Sequence, residues 1–323
     1  MGKCPACSLL WGMPDATKIR IVFLGTPEFA ATCLQNLIDQ NANVVVVITA
    51  PDKPAGRGLH LNKSAVKQVA EAAGIPVLQP EKLKNPEFLE ELKSYQADLG
   101  IVVAFRMLPE LVWRMPPMGT FNLHASLLPS FRGAAPINWA LMRGEKQTGI
   151  TTFFLQHEID TGDLLLQEKV DIGENENVGS LYHRLMNQGA ALVWKTVCGI
   201  ADGTLTPFPQ DESKVSFAPK IFKETGLLDF NRSALELHNQ IRGLSPVPGA
   251  WFLKDGKVMK VLSSLPDTIP SDNMEPGILR VLRPGELGIA TKDNWLNLLE
   301  IQPEGKRKMT AKEFLAGHPI EKL

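Results

Sequence analysis

The chain has 323 residues, 44% hydrophobic and 21% charged, and its 34 Lys plus Arg nearly cancel 35 Asp plus Glu to leave a formal net charge of −1. That is an ordinary globular composition, long enough for two domains. It excludes a chain that coats nucleic acid by bulk positive charge, so any such partner must be met by local basic groups.

Residues 1–17 read as an N-terminal extension outside the fold, expected to be disordered, with Met13 a natural start inside it. Its Cys4-Pro5-Ala6-Cys7 has CxxC spacing but no second pair to complete a zinc site. Cys33 falls in a predicted helix and Cys198 stands far from it, so no disulfide framework is expected. No apolar run reaches the ~20 residues of a membrane span. A cytoplasmic protein with no membrane partner and no metal is the expectation.

From Ile19 to Gly25 a near-continuous apolar run ends in glycine, the pattern of a parallel strand buried on both faces. Pro27 suits the first turn of a helix reaching Gln40. The next turn, Gly25-Thr26-Pro27-Glu28-Phe29-Ala30, is not GxGxxG, and Glu28 stands where a pyrophosphate would need a close backbone, so a dinucleotide is not expected. Strand Asn43 to Thr49, a Pro/Gly-rich loop to Asn62, a helix over Ser64 to Ala73 and a strand at Ile75 to Gln79 follow. A helix over Pro86 to Tyr95, the strand Ala97 to Phe105, a strand holding Asn122 and His124, and Gly149 to Leu155 complete a sheet. Such βαβ repeats imply an open, doubly wound, mostly parallel α/β domain, placed at 18–203, whose ligands sit at the carboxyl ends of the strands.

After a helix at Val178 to Ile200, residues 204–222 are rich in Pro, Asp, Glu, Ser and Thr and read as an exposed linker. Residues 223–323 then give a helix from Ser233 and short strands punctuated by Gly and Pro, with Asp255-Gly256 as a hairpin signal. Closely spaced short strands suggest a small OB-like β-barrel. With 14 basic against 13 acidic residues, this part is not strongly charged.

The segment Gly119 to Ser126 reads as a short strand, and on a strand residues i and i+2 share a face. Asn122 and His124 therefore project side by side, with Leu123 toward the packed side. An amide beside an imidazole offers a donor for a developing oxyanion and an acceptor for a proton, the two requirements of acyl transfer. A carboxylate brought near by the fold orients the imidazole and keeps it basic. Without a wider context, the same pair also reads as a polar strand end with a satisfied histidine.

Several blocks supply that context: FLGTPEFA (23–30), PDKPAGRG (51–58), FNLHASLLPSFRGAAPINWA (121–140), TGITTFF and HEIDTGD (157–163), in that order. Together they closely resemble the folate-dependent formyltransferases. PAGRG and IRGLSPVPGAWF (241–252) point within them to the branch acting on methionyl-tRNA. The resemblance runs from about Lys18 to the C-terminus. It implies transfer of the formyl group of 10-formyltetrahydrofolate to the amino group of methionyl initiator tRNA, by direct attack through a tetrahedral intermediate, in a monomer. The alternatives are formyl transfer to a sugar-nucleotide amine and hydrolysis of formyltetrahydrofolate.

By resemblance the catalytic trio falls on Asn122, His124 and Asp160. Folate contacts fall on the loop Ser126, Leu127, Leu128 and Pro129, on the strand end Val103, Ala104 and Phe105, and on Thr161, Gly162 and Asp163. The cations Lys53, Arg57 and Lys63, with Lys67 behind them, are placed to meet acceptor-stem phosphates, and Arg57 matches the family's functional arginine. One departure stands out. The family's V-A-Y-G-x-x-L-P is here Ala104-Phe105-Arg106-Met107-Leu108-Pro109, one residue shorter, and it leaves Arg106 without an assigned role.

Overall fold

In chain order, the first strands are β1 (Ile21–Gly25), β2 (Val44–Ile48), β3 (Lys53–Ala55), β4 (His60–Asn62), β5 (Val77–Leu78), β6 (Leu99–Val103), β7 (Thr120–His124), β8 (Gln147–Phe154) and β9 (Leu164–Asp171). Between and after them run α1 (Glu28–Asp39), α2 (Ala65–Ala72), α3 (Pro86–Ser94), α4 (Glu110–Trp113), α5 (Pro136–Met142) and α6 (Val178–Ala201). This is a computed structural model that describes residues 15–55 and 60–323, with the backbone alone for 53–55 and 60–62. The expectation for residues 1–14, Cys4 and Cys7 among them, lies outside the described residues; Ala16–Lys18 forms a 3-10 turn capped by Asp15.

A seven-stranded sheet has the order β5-β2-β1-β6-β7-β8-β9. Neighbours from β5 to β7 run parallel, and β8 runs antiparallel to β7. All residues of β1 and β6 are buried, which is what a central parallel strand with helices on both faces requires. On one face Val22, Leu24, Val46, Ile48 and Val102 pack with Phe88 and Leu92 of α3. On the other face α6 comes close enough to β7 that a Cβ at Gly189 would lie 2.8 Å from the Leu123 side chain. Fully burying each such aliphatic side chain contributes about 1.5–3 kcal/mol. The doubly wound α/β architecture expected from the sequence is the one observed.

Several elements are absent from the sequence reading. The Pro/Gly-rich loop contains a short antiparallel pair, β3 with β4, in which Pro54 faces Leu61; an isolated two-stranded ribbon tolerates a proline that a central strand would not. Strand β9 was masked by its sequence, LLLQEKVD, where outward Gln167 and Lys169 dilute the apolar signal. Helix α5 is only seven residues long and starts at Pro136.

The described chain forms two compact units, one of residues 15–130, 149–169 and 184–215, the other of residues 131–148, 170–183 and 216–323. Residues 204–215 of the segment read as a linker thus belong to the first. In the second, α7 (Ala234–Leu244) precedes β10 (Ala250–Lys254), β11 (Lys257–Pro270), β12 (Leu279–Arg283), β13 (Glu286–Ala290), β14 (Asn294–Pro303), β15 (Met309–Thr310) and α8 (Ala311–Gly317). The strands form an antiparallel sheet, β10-β11-β14-β13-β12, with β15 on β14. Asp255 and Gly256 at φ 51° and 75° make the β10–β11 turn, the left-handed pair that a two-residue hairpin requires. Register shifts between β11 and β14 mark bulges, which bend a long strand. Leu237, Ile241 and Leu244 of α7 join Val261, Ile289, Leu296 and Phe314 in one core. Ser233 and Glu236 close a capping box at the start of α7.

Among the described residues no helix is long and apolar enough to cross a membrane. Cys33 and Cys198 are free thiols, and burial pushes both upward in pKa.

Candidate active site

Strand β7 brings Asn122 and His124 to one face at its carboxyl end. It is held by β6 on one side, where Val102 pairs Asn122, and by β8 on the other, where Thr151 pairs His124. His124 is 6% exposed. The Asp160 carboxylate, from the loop between β8 and β9, comes to 3.8 Å between Oδ2 and His124 Nδ1. That is an ion-pair separation rather than a hydrogen bond, and contacts of this kind commonly tighten only in the substrate complex. The structure thus brings the three residues into one neighbourhood from two elements.

Asn122 Oδ1 is buried and has no hydrogen-bond partner among the described residues. An orphaned buried acceptor costs about 1–3 kcal/mol, so the amide is held out of balance until something polar meets it. A half-turn of the amide offers its N–H in the same place, the donor an oxyanion calls for.

The Asp160 loop is built under constraint. Asp160 sits at φ 57°, in the left-handed region that a non-glycine residue rarely adopts. At Gly162 a Cβ would stand 1.6 Å from the Phe154 carbonyl oxygen, so only glycine fits against β8. The Phe154 N–H donates to the Asp163 carbonyl at 3.0 Å, and the Thr161 hydroxyl donates to the Glu158 carbonyl at 3.1 Å. Gln210, from the segment read as a linker, donates from Nε2 to the carbonyls of Asp160 (2.8 Å) and Gly162 (2.9 Å). Sequence reasoning missed it, because composition marks a proline-rich loop without saying what the loop touches.

The Ser126–Pro129 loop spends its polar groups internally. The Ser126 hydroxyl donates to the Ser130 carbonyl at 2.6 Å, and the Ser126 carbonyl accepts from Thr151 Oγ1 at 2.6 Å. The Leu128 N–H donates to Thr151 Oγ1 and its carbonyl accepts from Gln167 Nε2, while its side chain packs with Phe153 and Leu164. Leu127 is half-buried and Pro129 buried. At the end of β6, Val103 is buried, Ala104 is exposed at φ 46°, and Phe105 is half-buried against the α3 face. Arg106 now has contacts. Its guanidinium donates to the carbonyls of Pro80 and Glu81 and lies 5.7 Å over the Phe105 ring, strapping the loop after β6 to the segment after β5.

Of the basic residues, Lys63 is exposed and paired with Glu71 at 2.7 Å, a contact that raises its pKa. Lys67 is bound to Asp52 and Gln79 and lies at the base of the loop, turned into the protein. The side chain of Lys53, and Arg57 altogether, lie outside the described residues. Among the described residues no three His, Cys, Asp or Glu side chains are grouped to hold a metal ion.

Comparison with known proteins adds a lineage to this geometry. The family model described as formyl transferase matches residues 19–197, and that of the formyl transferase C-terminal domain matches residues 220–319. The methionyl-tRNA formyltransferase of Azobacteroides pseudotrichonymphae genomovar. CFP2 is 47% identical over 314 residues, covering 94% of this chain and 97% of its own. That of Phocaeicola vulgatus is 49% identical over 315 residues, with the same two coverages. In overall fold the chain is similar to an N-formyltransferase from Helicobacter canadensis solved with folinic acid and dTDP-3-aminofucose: TM-score 0.67 at 19% identity, over 90% of this chain and 100% of the other. It is also similar to HypX from Aquifex aeolicus in complex with tetrahydrofolic acid, TM-score 0.63 at 18% identity, over 94% of this chain and 48% of the other.

Proposed function

Because the chain belongs to the formyl transferase family, we propose that it is a methionyl-tRNA formyltransferase, moving the formyl group of 10-formyltetrahydrofolate to the amino group of methionine on initiator tRNA. The observation that carries the chemistry is the buried His124–Asp160 pair beside the orphaned amide of Asn122.

Each residue has a part set by its atoms. With Nδ1 toward Asp160, the imidazole keeps Nε2 to accept the proton of the attacking amine. Asp160 holds the ring in place and balances its charge once protonated. The Asn122 amide N–H donates to the oxygen that gains charge as the amine adds to the formyl carbon. The C–N10 bond then breaks and the folate nitrogen leaves with a proton. In this reading the pterin lies against Val103, Ala104, Phe105 and the Thr161–Asp163 turn, with Ser126 to Pro129 as a wall held by hydrogen bonds to Ser130, Thr151 and Gln167. Lys53, Arg57 and Lys63 meet acceptor-stem phosphates, and residues 223–323 supply a further surface for tRNA. The enzyme acts as a cytoplasmic monomer.

The test is direct: purified protein with 10-formyltetrahydrofolate and, in parallel, methionyl initiator tRNA, an amino-sugar nucleotide, or water alone as acceptor. Formyl-methionyl-tRNA is the product expected. Turnover only on the sugar nucleotide, or only release of formate, would reject the assignment.

A further inference from the structure

We infer that Gln210 is a positioning residue for the Asp160 carboxylate; the inference rests on the role given to Asp160 above. Two bonds carry it. The single amide nitrogen of Gln210 donates to the carbonyl of Asp160 at 2.8 Å and to that of Gly162 at 2.9 Å, so both of its hydrogens are spent on one three-residue stretch. Pinning these carbonyls fixes the 160–161 and 162–163 peptide planes, and the first of them helps to set the direction in which the Asp160 Cα–Cβ bond points.

The stretch needs such a hold. Asp160 is in the left-handed region at φ 57°, a conformation that persists only where its surroundings impose it. Gly162 is pressed onto the Phe154 carbonyl of β8. The turn is thus held by two partners, β8 and the Gln210 amide.

Gln210 is itself held on both sides. Phe208 and Leu164 exchange both backbone hydrogen bonds, 2.8 and 3.1 Å, which seats residue 208 against the first residue of β9. Pro209 restricts the backbone between them. Asp211 caps the 3-10 turn Glu212–Lys214 by accepting from the Ser213 N–H, and the Ser130 hydroxyl donates to the Lys214 carbonyl. This stretch therefore delivers one amide to the backbone of the loop that presents Asp160 to His124. Exposed residues on either side of Gln210, half-buried itself, are what disguise it as a linker.

A double-mutant cycle tests this, with kcat/KM for formyl transfer to methionyl-tRNA measured in wild type, Gln210→Leu, Asp160→Asn and the double variant, and melting temperatures recorded for all four. Gln210→Leu keeps the bulk and removes the donors. The expected loss is about 10- to 100-fold, as for other outer hydrogen bonds that orient a site ligand. In the Asp160→Asn background the same change should add little, because the group it positions is already disabled. Equal losses in both backgrounds, or a wild-type rate for Gln210→Leu, would overturn the inference while leaving the trio intact. A wild-type rate for Asp160→Asn would instead remove the role of Asp160, and this inference with it. Should Gln210→Leu not fold, Gln210→Glu, which keeps the length but lacks the donors, enters the same cycle.

Discussion

At the residue scale, the proposed mechanism rests on groups with unusual surroundings: an amide oxygen without a partner among the described residues, a carboxylate on left-handed backbone, an imidazole almost fully covered. Asn122→Ala should leave the fold intact and lower kcat by about 10²–10³, the loss typical for removal of an oxyanion donor. Steady-state kinetics beside a circular dichroism spectrum will show whether it does; an unchanged kcat removes Asn122 from the chemistry. Pairing of Asn122 with His124 was legible from strand period alone, since it needs only i and i+2. Asp160 was legible only through resemblance, because no local rule predicts which carboxylate a distant loop will deliver. Gln210 gave no signal for the same reason: its meaning lies entirely in what it touches.

At the element scale, strands that form the buried centre were plain in the sequence, because burial on both faces demands an unbroken apolar run, as in β1 and β2. β9 was not, since a strand with one wet face and charged residues along it is locally indistinguishable from a loop. The hairpin at Asp255-Gly256 was legible because left-handed backbone restricts the residue types that fill it. Caps act locally too. Ser233 accepts from the Glu236 N–H, and Glu236 Oε2 in return accepts from the Ser233 N–H at 3.0 Å. Ser233→Ala should therefore lower the stability of the second unit by about 1 kcal/mol, read as a shift in its denaturant midpoint, with formyl transfer unaffected at low temperature.

At the scale of the whole molecule, a net charge of −1 offers little bulk attraction to a polyanion, so the tRNA grip proposed above rests on local cations. If Arg57 meets a phosphate, Arg57→Ala should weaken tRNA binding and reduce the slope of log affinity against log salt by about one, while folate binding holds. Equal damage to folate binding would contradict the placement. Acid stability has its own handle in His238, which is buried with Nδ1 3.2 Å from Ser264 Oγ and whose pKa is lowered, first by burial and then by the Arg242 charge. A histidine lowered in the folded state binds fewer protons there than when unfolded. Stability is therefore unaffected above the unfolded value of about 6.5 and falls as pH drops below it. Melting curves between about pH 7.5 and 5.5 should flatten in His238→Gln, and equal slopes would rule the residue out as a source.

The interleaving of the two units bears on how such a protein can be taken apart. Helix α5 packs on α7, although roughly ninety residues of chain lie between them, and the Asn138 amide donates to the Gly243 carbonyl at 2.8 Å. A gene cut in the proline-rich stretch after α6 would leave α5 on one product and its seat on the other. Neither half would be self-sufficient: the first would carry an uncovered apolar helix into solution, and the second would be missing a wall.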